Sequence, residues 1–278
     1  VLAPAFISSD GQKTMNYEAL ILEVSDYVAT VTLNRPDKLN ALSEQLRNEI
    51  EDVCEHIYND DQIRAVIFTG SGRGFCSGAD LTSGAAVDKT PSQNLRLDDM
   101  GWVGRLSTAI YKIGVPSIAA MNGVAAGAGM SISLACDMRV GHTGSRFKTI
   151  FAERGLSPDT GMSYYLPRII GYSRAADLIF TSRMVSGDEA YRLGLLDRLV
   201  GEDEVMTTAM EVAQQMSALP PMAIRSGKRV LQQNMDSDFH SALLNESVAL
   251  KFATRSPNDQ AEQRAAFIEK RKPTFTGT

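Results

Sequence analysis

The chain has 278 residues, 44% of them apolar and 22% charged, with a formal net charge of −5. Such values suit a globular protein built as one large domain, or as a domain with an appendage. The negative balance gives no electrostatic reason to expect nucleic acid or an anionic membrane surface as a partner, and no apolar run reaches the roughly 18 residues of a membrane span.

Residues 1–14 lack the basic start and apolar core of a signal peptide and are expected to form a loose leader before Met15. Glu18–Val24 and Tyr27–Asn34 then predict a hairpin turning at Ser25-Asp26. Ser43 suits a helix cap, and Leu46, Ile50, Val53 and Ile57 follow at helical spacing, so a helix is predicted over 43–60. The apolar run Ala65–Thr69 reads as a buried strand and leads into the small-residue turn Gly74-Phe75-Cys76-Ser77-Gly78-Ala79-Asp80. An irregular stretch from Leu81 to about Asp98 is expected to roof a binding pocket, since long polar loops in a compact domain are usually functional. Helix Met100–Ile113 stops at Gly114.

Strand Ser117–Met121 runs into a second small-residue segment, Asn122-Gly123-Val124-Ala125-Ala126-Gly127-Ala128-Gly129, and a helix over Ala128–Ala135 begins there. Asp137–His142 and Arg146–Ile150 read as strands, and Ser186-Gly187-Asp188-Glu189 has capping-box spacing. From about residue 203 the pattern is helical only: 203–217, 221–235, 238–253 and 257–271. The chain therefore divides into a mixed core over 15–202 and a helical part over 203–278, giving an α/β fold class with a helical tail that packs on the core or on neighbouring subunits.

A strand that exits through glycine and alanine leaves its backbone N–H groups uncovered. Two such exits brought together can aim two donors at one oxygen, which is the basis of an oxyanion hole. The second exit also opens a helix, whose dipole favours negative charge. Other readings fit less well. Gly70-Ser71-Gly72-Arg73-Gly74-Phe75 nearly matches a dinucleotide fingerprint, but it ends in Phe and continues into a tight turn rather than a helix. No Gly-Lys-Ser/Thr closes a phosphate loop, and Ser77 lies one position off a nucleophile elbow with no histidine at triad spacing. Cys54, Cys76 and Cys136 form no Cys-x-x-Cys pair, which suits free thiols in a reducing cytoplasm, with Cys76 a buried filler. His56, His142 and His240 have no metal-ligand spacing, so neither a metal nor a separate cofactor is expected.

Three ordered motifs, Asn34-Arg35-Pro36-Asp37-Lys38-Leu39-Asn40-Ala41-Leu42, Arg73–Asp80 and Asn122–Gly129, resemble the successive signatures of the crotonase (enoyl-CoA hydratase/isomerase) superfamily. The resemblance implies a spiral of ββα units with a C-terminal helical trimerisation subdomain, a homotrimer or dimer of trimers, and an acyl-CoA thioester ligand that brings its own coenzyme A. It implies that the N–H groups of Ser77 and Ala128 form the oxyanion hole. Lys38, Leu39 and Ala41, with Cys76, Gly78, Ala79 and Asp80, would line the CoA moiety. Gly127, Ser131 and Phe151 would flank the acyl group. Lys270 and Phe275, with Lys272, would meet CoA phosphates and adenine, in a neighbouring subunit if not in their own, or else form a basic solvated tail.

Hydratases that resemble this chain carry two glutamates, and the matching positions hold Ser131 and Phe151. Neither activates water or protonates carbon well. A carboxylate does appear in Gly155-Leu156-Ser157-Pro158-Asp159-Thr160-Gly161. By composition Asp159 is a turn or cap aspartate. However, this segment, Leu166-Pro167-Arg168 and the ending Lys270-Arg271-Lys272-Pro273-Thr274-Phe275-Thr276-Gly277 are similar to the epoxyphenylacetyl-CoA isomerase branch, in which the aspartate is the single acid/base. Burial beside Met130, Phe151 and Met162 would raise its pKa. Glu153 is read instead as a solvated partner of Arg154, and Asp80 as structural. The function expected is a double-bond shift, or isomerisation of a ring-derived thioester. Hydration or hydrolysis by Asp159-held water, aryl attack by Asp159, and a silent CoA-binding subunit are the alternatives.

Overall fold

The computed structural model describes residues 5–7, 13–82 and 92–278. Its strands are β1 (Ala5–Ile7), β2 (Lys13–Asn16), β3 (Leu20–Ser25), β4 (Val28–Leu33), β5 (Ala65–Gly70), β6 (Gly74–Cys76), β7 (Ser117–Met121), β8 (Val124–Ala126), β9 (Met138–His142), β10 (Arg146–Lys148), β11 (Val185–Ser186) and β12 (Arg198–Val200). Its α-helices are α1 (Glu44–Asn59), α2 (Gln93–Arg96), α3 (Gly101–Tyr111), α4 (Ala128–Ala135), α5 (Met162–Ile170), α6 (Tyr172–Thr181), α7 (Gly187–Leu193), α8 (Val205–Ser217), α9 (Pro221–Asn234), α10 (Phe239–Ala253) and α11 (Pro257–Glu269).

The predicted hairpin forms, but its turn sits one residue later. Asp26 and Tyr27 hold left-handed φ values of 50° and 65°, and Ser25 pairs with Val28, the backbone a two-residue hairpin loop requires. Ser43 Oγ accepts from Leu46 N at 3.2 Å and opens α1, and the stripe Leu46, Ile50, Val53, Ile57 is fully buried. Of the expected leader, residues 5–7 pair antiparallel with β2, and residues 1–4 and 8–12 lie outside the described residues.

Strands β4, β5, β7, β9 and β12 run parallel in the large sheet, ordered β1-β2-β3-β4-β5-β7-β9-β12, and a small sheet runs β11-β10-β8-β6. The pairs β5/β6, β7/β8 and β9/β10 each send their first strand to the large sheet and their second to the small one, then return through helices. This is the expected spiral of ββα units. Linkers of only two or three residues force each strand pair to turn sharply at the same end of the parallel sheet, where both glycine segments lie.

Alternation along the strands divides the core. Val66, Phe68, Ala119 and Met121 face α1, α3 and α4, whereas Ile67, Ile118, Ala120 and Val140 face Val205, Ala209, Val212 and Ala213 of α8. Helix α8 thus completes the second face of the large sheet, and among the described residues α9–α11 add none to that core. A buried polar knot ties α9 to it. Lys228 Nζ donates to Val115 O and Asp137 Oδ2, both at 2.8 Å, while Ser117 N donates to the same carboxylate oxygen at 2.7 Å. Removing the cation leaves a partly buried carboxylate short of a partner. Lys228→Met is therefore expected to cost about 2–3 kcal/mol in urea unfolding.

Candidate active site

Two asparagines fasten the glycine segments together. Asn40 is fully buried with φ 56°; its Nδ2 donates to Gly74 O at 2.7 Å and Ser71 O at 3.0 Å. Asn122 Nδ2 donates to Gly70 O and Gly72 O at 2.7 and 2.8 Å. Arg35 Nη1 donates to Ala41 O and its Nη2 to Asp80 Oδ2 at 2.8 Å, which locks the first motif to the second. The two exits then meet closely. A Cβ on Gly129 would stand 2.2 Å from Cys76 O, and one on Gly78 would stand 2.7 Å from Ala126 O and 3.8 Å from Ala128 N. Only glycine permits this approach.

Of the two amides expected to act as donors, Ser77 and Ala128, the first is already bonded within the chain. Ser77 N–H donates to Leu39 O at 3.0 Å, and Ser77 Oγ to Lys38 O at 3.3 Å, so Ser77 has no free amide to offer. The cause is a short parallel pairing: Leu42 N donates to Gly78 O at 2.8 Å and Asp80 N to Leu42 O at 3.2 Å. In such a bridge the straddled residue, Ala79, turns its own N–H away from residue 42. Ala79 is exposed, and among the described residues its N–H has no partner. At the other exit Ala128 N, in the first turn of α4, is likewise unpartnered, whereas Ser131 N bonds Gly127 O at 3.0 Å.

Asp159 lies beside the same helix. Its carbonyl oxygen accepts from Ser131 Oγ at 3.1 Å and from Met162 N at 2.9 Å. Ser131 is one helical turn beyond Ala128, so this bond anchors the aspartate turn within about 5 Å of rise of the open amide. The Asp159 side chain is half-buried, and burial raises its pKa above the ordinary carboxylate value, partly opposed by the hydrogen bond from Thr160. Met130, Phe151 and Met162 are all buried, and the Phe151 ring approaches Gly127. Glu153 pairs with Lys148 at 2.7 Å rather than with Arg154, its carboxylate half-exposed.

Other expected contacts fall elsewhere. Ser131 and Cys76 are fully buried; the Ser131 hydroxyl is committed to main-chain oxygens and the Cys76 sulfur accepts from Gly78 N, its thiol pushed up to about 12 by burial. Neither side chain reaches a ligand surface. Asp80 spends its carboxylate on Arg35 and on Thr82 N and Oγ1. Lys38 is exposed at the rim, while Leu39 is left-handed at φ 48° and Ala41 buried. Phe275 is buried, and its carbonyl accepts from Arg64 Nη2 at 2.9 Å. Arg64 precedes β5, so Phe275 lies at the opposite end of that strand, about 20 Å from the junction. Lys270 is exposed at the end of α11. Of the expected roof, residues 83–91 lie outside the described residues. A cleft of about 1290 Å³ between α1, α3, α9 and α10, lined by Tyr58, Lys112, Arg229 and Phe252 among others, does not include the glycine turns or Asp159. Among the described residues no helix is long and apolar enough to cross a membrane.

Comparison with known proteins bears on the family and the fold. The sequence model of a family described as enoyl-CoA hydratase/isomerase matches residues 23–278. The chain is 35% identical over 263 residues to the short-chain-enoyl-CoA hydratase of Clostridium acetobutylicum, covering 93% of this chain and 97% of that protein. It is 31% identical over 260 residues to the 1,2-epoxyphenylacetyl-CoA isomerase of Escherichia coli, covering 94% and 99%. A crystal structure of a putative enoyl-CoA hydratase from Streptomyces coelicolor superposes with a TM-score of 0.86 at 34% identity, covering 95% of this chain and 96% of that one.

Proposed function

The chain belongs to the enoyl-CoA hydratase/isomerase family, and from that premise we propose that it shifts a double bond in an acyl-CoA thioester with one aspartate as proton shuttle. The observation that carries the reading is the hydrogen bond from Ser131 Oγ to the Asp159 carbonyl oxygen, which holds the main chain of a residue with a half-buried carboxylate beside α4. By the resemblance, Ser131 and Phe151 stand where hydratases carry their two glutamates, and among the described residues Asp159 is the carboxylate we assign to the acid/base work.

In the proposed reaction Asp159 removes a proton from C2 of a 3-enoyl thioester. The C–H electron pair moves into the dienolate, and charge collects on the thioester oxygen. The N–H groups of Ala79 and Ala128 hold that oxygen, with Ala79 in the role expected of Ser77. Asp159 then returns the proton to C4 and leaves the 2-enoyl product. A ring-derived acyl group undergoes the same transfer of a proton between conjugated carbons.

We also propose assembly as a homotrimer or dimer of trimers. Helices α10 and α11 carry Phe239, Leu244, Leu250, Phe267 and Ile268 exposed on a single chain, and Phe275 is remote from its own site. The test is to incubate the protein separately with trans-3-enoyl-CoA and 2-enoyl-CoA. Isomerisation without net hydration is the expected result. Hydration of the 2-enoyl substrate as the faster reaction, or tight binding with no turnover of either, would overturn the proposal.

A further inference from the structure

Thr160 is only 3% exposed, yet its backbone has φ 51°. A β-branched residue enters the left-handed region only when its surroundings hold it there, and such strain gathers at functional sites. Gly161 follows at φ 83°, where any Cβ would stand 2.4 Å from Tyr165 Cε2 and 2.7 Å from Ser107 Oγ. The two residues reverse the chain between Asp159 and α5. The reversal places Thr160 Oγ1 where it donates to Asp159 Oδ1 at 2.9 Å. The Asp159 backbone is fixed independently through Ser131 Oγ and Met162 N. Among the described residues, Oδ2 alone is left without a protein partner.

We infer that Thr160 is a positioning residue for the shuttle: its hydroxyl clamps Oδ1, so that Oδ2 takes and returns the proton in both half-steps. The inference rests on the assignment of Asp159 as shuttle. Neighbouring ionisable groups have other partners or face solvent. Glu153 is paired with Lys148, the Tyr165 hydroxyl with Ser107 at 3.1 Å, and the Tyr164 hydroxyl with Asp236 at 2.9 Å. Arg105 of α3 is paired with Glu51 and Asp98, Arg154 is exposed on the turn before Asp159, and α4 carries no ionisable side chain. Among the described residues, Thr160 is thus the neighbour that bonds this carboxylate directly.

The experiment follows the Asp159 carboxyl by ¹³C NMR titration, together with the pH profile of kcat/KM, in the parent, Thr160→Val, Thr160→Ser and Thr160→Gly. Val keeps the branching without the donor, Ser restores the donor, and Gly relaxes the backbone should Val impair folding. Both donor-less variants should move the carboxyl titration and the acidic limb to higher pH together. Their plateau kcat should fall roughly tenfold, and Ser should recover both. An unchanged titration and plateau in folded Val and Gly variants would overturn the clamp, even where Asp159→Asn is inactive. If instead the titration moves but Asp159→Asn retains full turnover, the clamp stands and the shuttle assignment fails.

Discussion

Asp159→Asn should lower kcat for the 3-enoyl to 2-enoyl conversion by about 10³- to 10⁴-fold, while the dissociation constant of the acyl-CoA changes little. The size follows from what the residue does in the proposal: it takes the proton from C2 and it returns the proton to C4. A positioned general base contributes typically 10² to 10⁴, and here both half-reactions lose the same group. Binding should survive because the asparagine preserves the shape of the turn, whose main-chain bonds to Ser131 and Met162 do not involve the carboxylate. Isothermal titration with a non-reacting acyl-CoA, beside stopped-flow absorbance of the enoyl product, separates the two effects. Full turnover in the variant would remove Asp159 from the chemistry.

The same residue predicts two pH dependences with different signs. Burial raises the Asp159 pKa above its ordinary value, and the base must be ionised to act, so activity should rise with pH through that raised value and level off above it. Stability runs the other way. A carboxyl that holds its proton more tightly folded than unfolded contributes stability below the unfolded pKa, and this is lost as pH rises through the folded pKa. Asp159→Asn should therefore melt at a higher temperature than the parent at neutral pH. The gap should close as the pH falls below the folded pKa, as differential scanning calorimetry across pH would reveal.

The parts of this molecule that were legible in the sequence are those encoded by local periodicity or a cap. Ser43 with Leu46, Ile50, Val53 and Ile57 specified α1, and the span Ala128–Ala135 of α4 was readable from its glycine start. Strands β6, β8 and β11 escaped because runs of two or three residues, Gly-Phe-Cys, Val-Ala-Ala and Val-Ser, are too short to show alternation. Helix α5 was obscured by Pro167 within it. The junction of the glycine segments was foreseeable, but the identity of the outward amide was not. Whether Ser77 or Ala79 offers its N–H depends on how residue 42 registers against residue 79, a long-range pairing that neither segment encodes alone. In the same way the main chain of Phe275 is held by Arg64, more than 200 positions earlier in the chain.

That register gives the second large effect. Replacing the backbone amide of residue 79 by an ester, and separately that of residue 128, should each lower kcat by about 10² to 10³, the usual consequence of losing one oxyanion donor. The ester deletes N–H and keeps the side chain, so the comparison is free of the packing change that a bulkier substitution would bring. Ala128→Pro offers a genetic counterpart, since the first position of a helix is where proline is tolerated and a missing N–H breaks no helical bond. The decisive control is the ester at residue 77. Its amide is occupied by Leu39 O, so its loss should lower thermal stability by about 1 kcal/mol and leave kcat within about twofold of the parent. If the ester at 77 abolishes turnover and the ester at 79 does not, the loop of Leu39 must release Ser77 when the thioester binds. The oxygen would then be held by Ser77 and Ala128, as the resemblance alone implies.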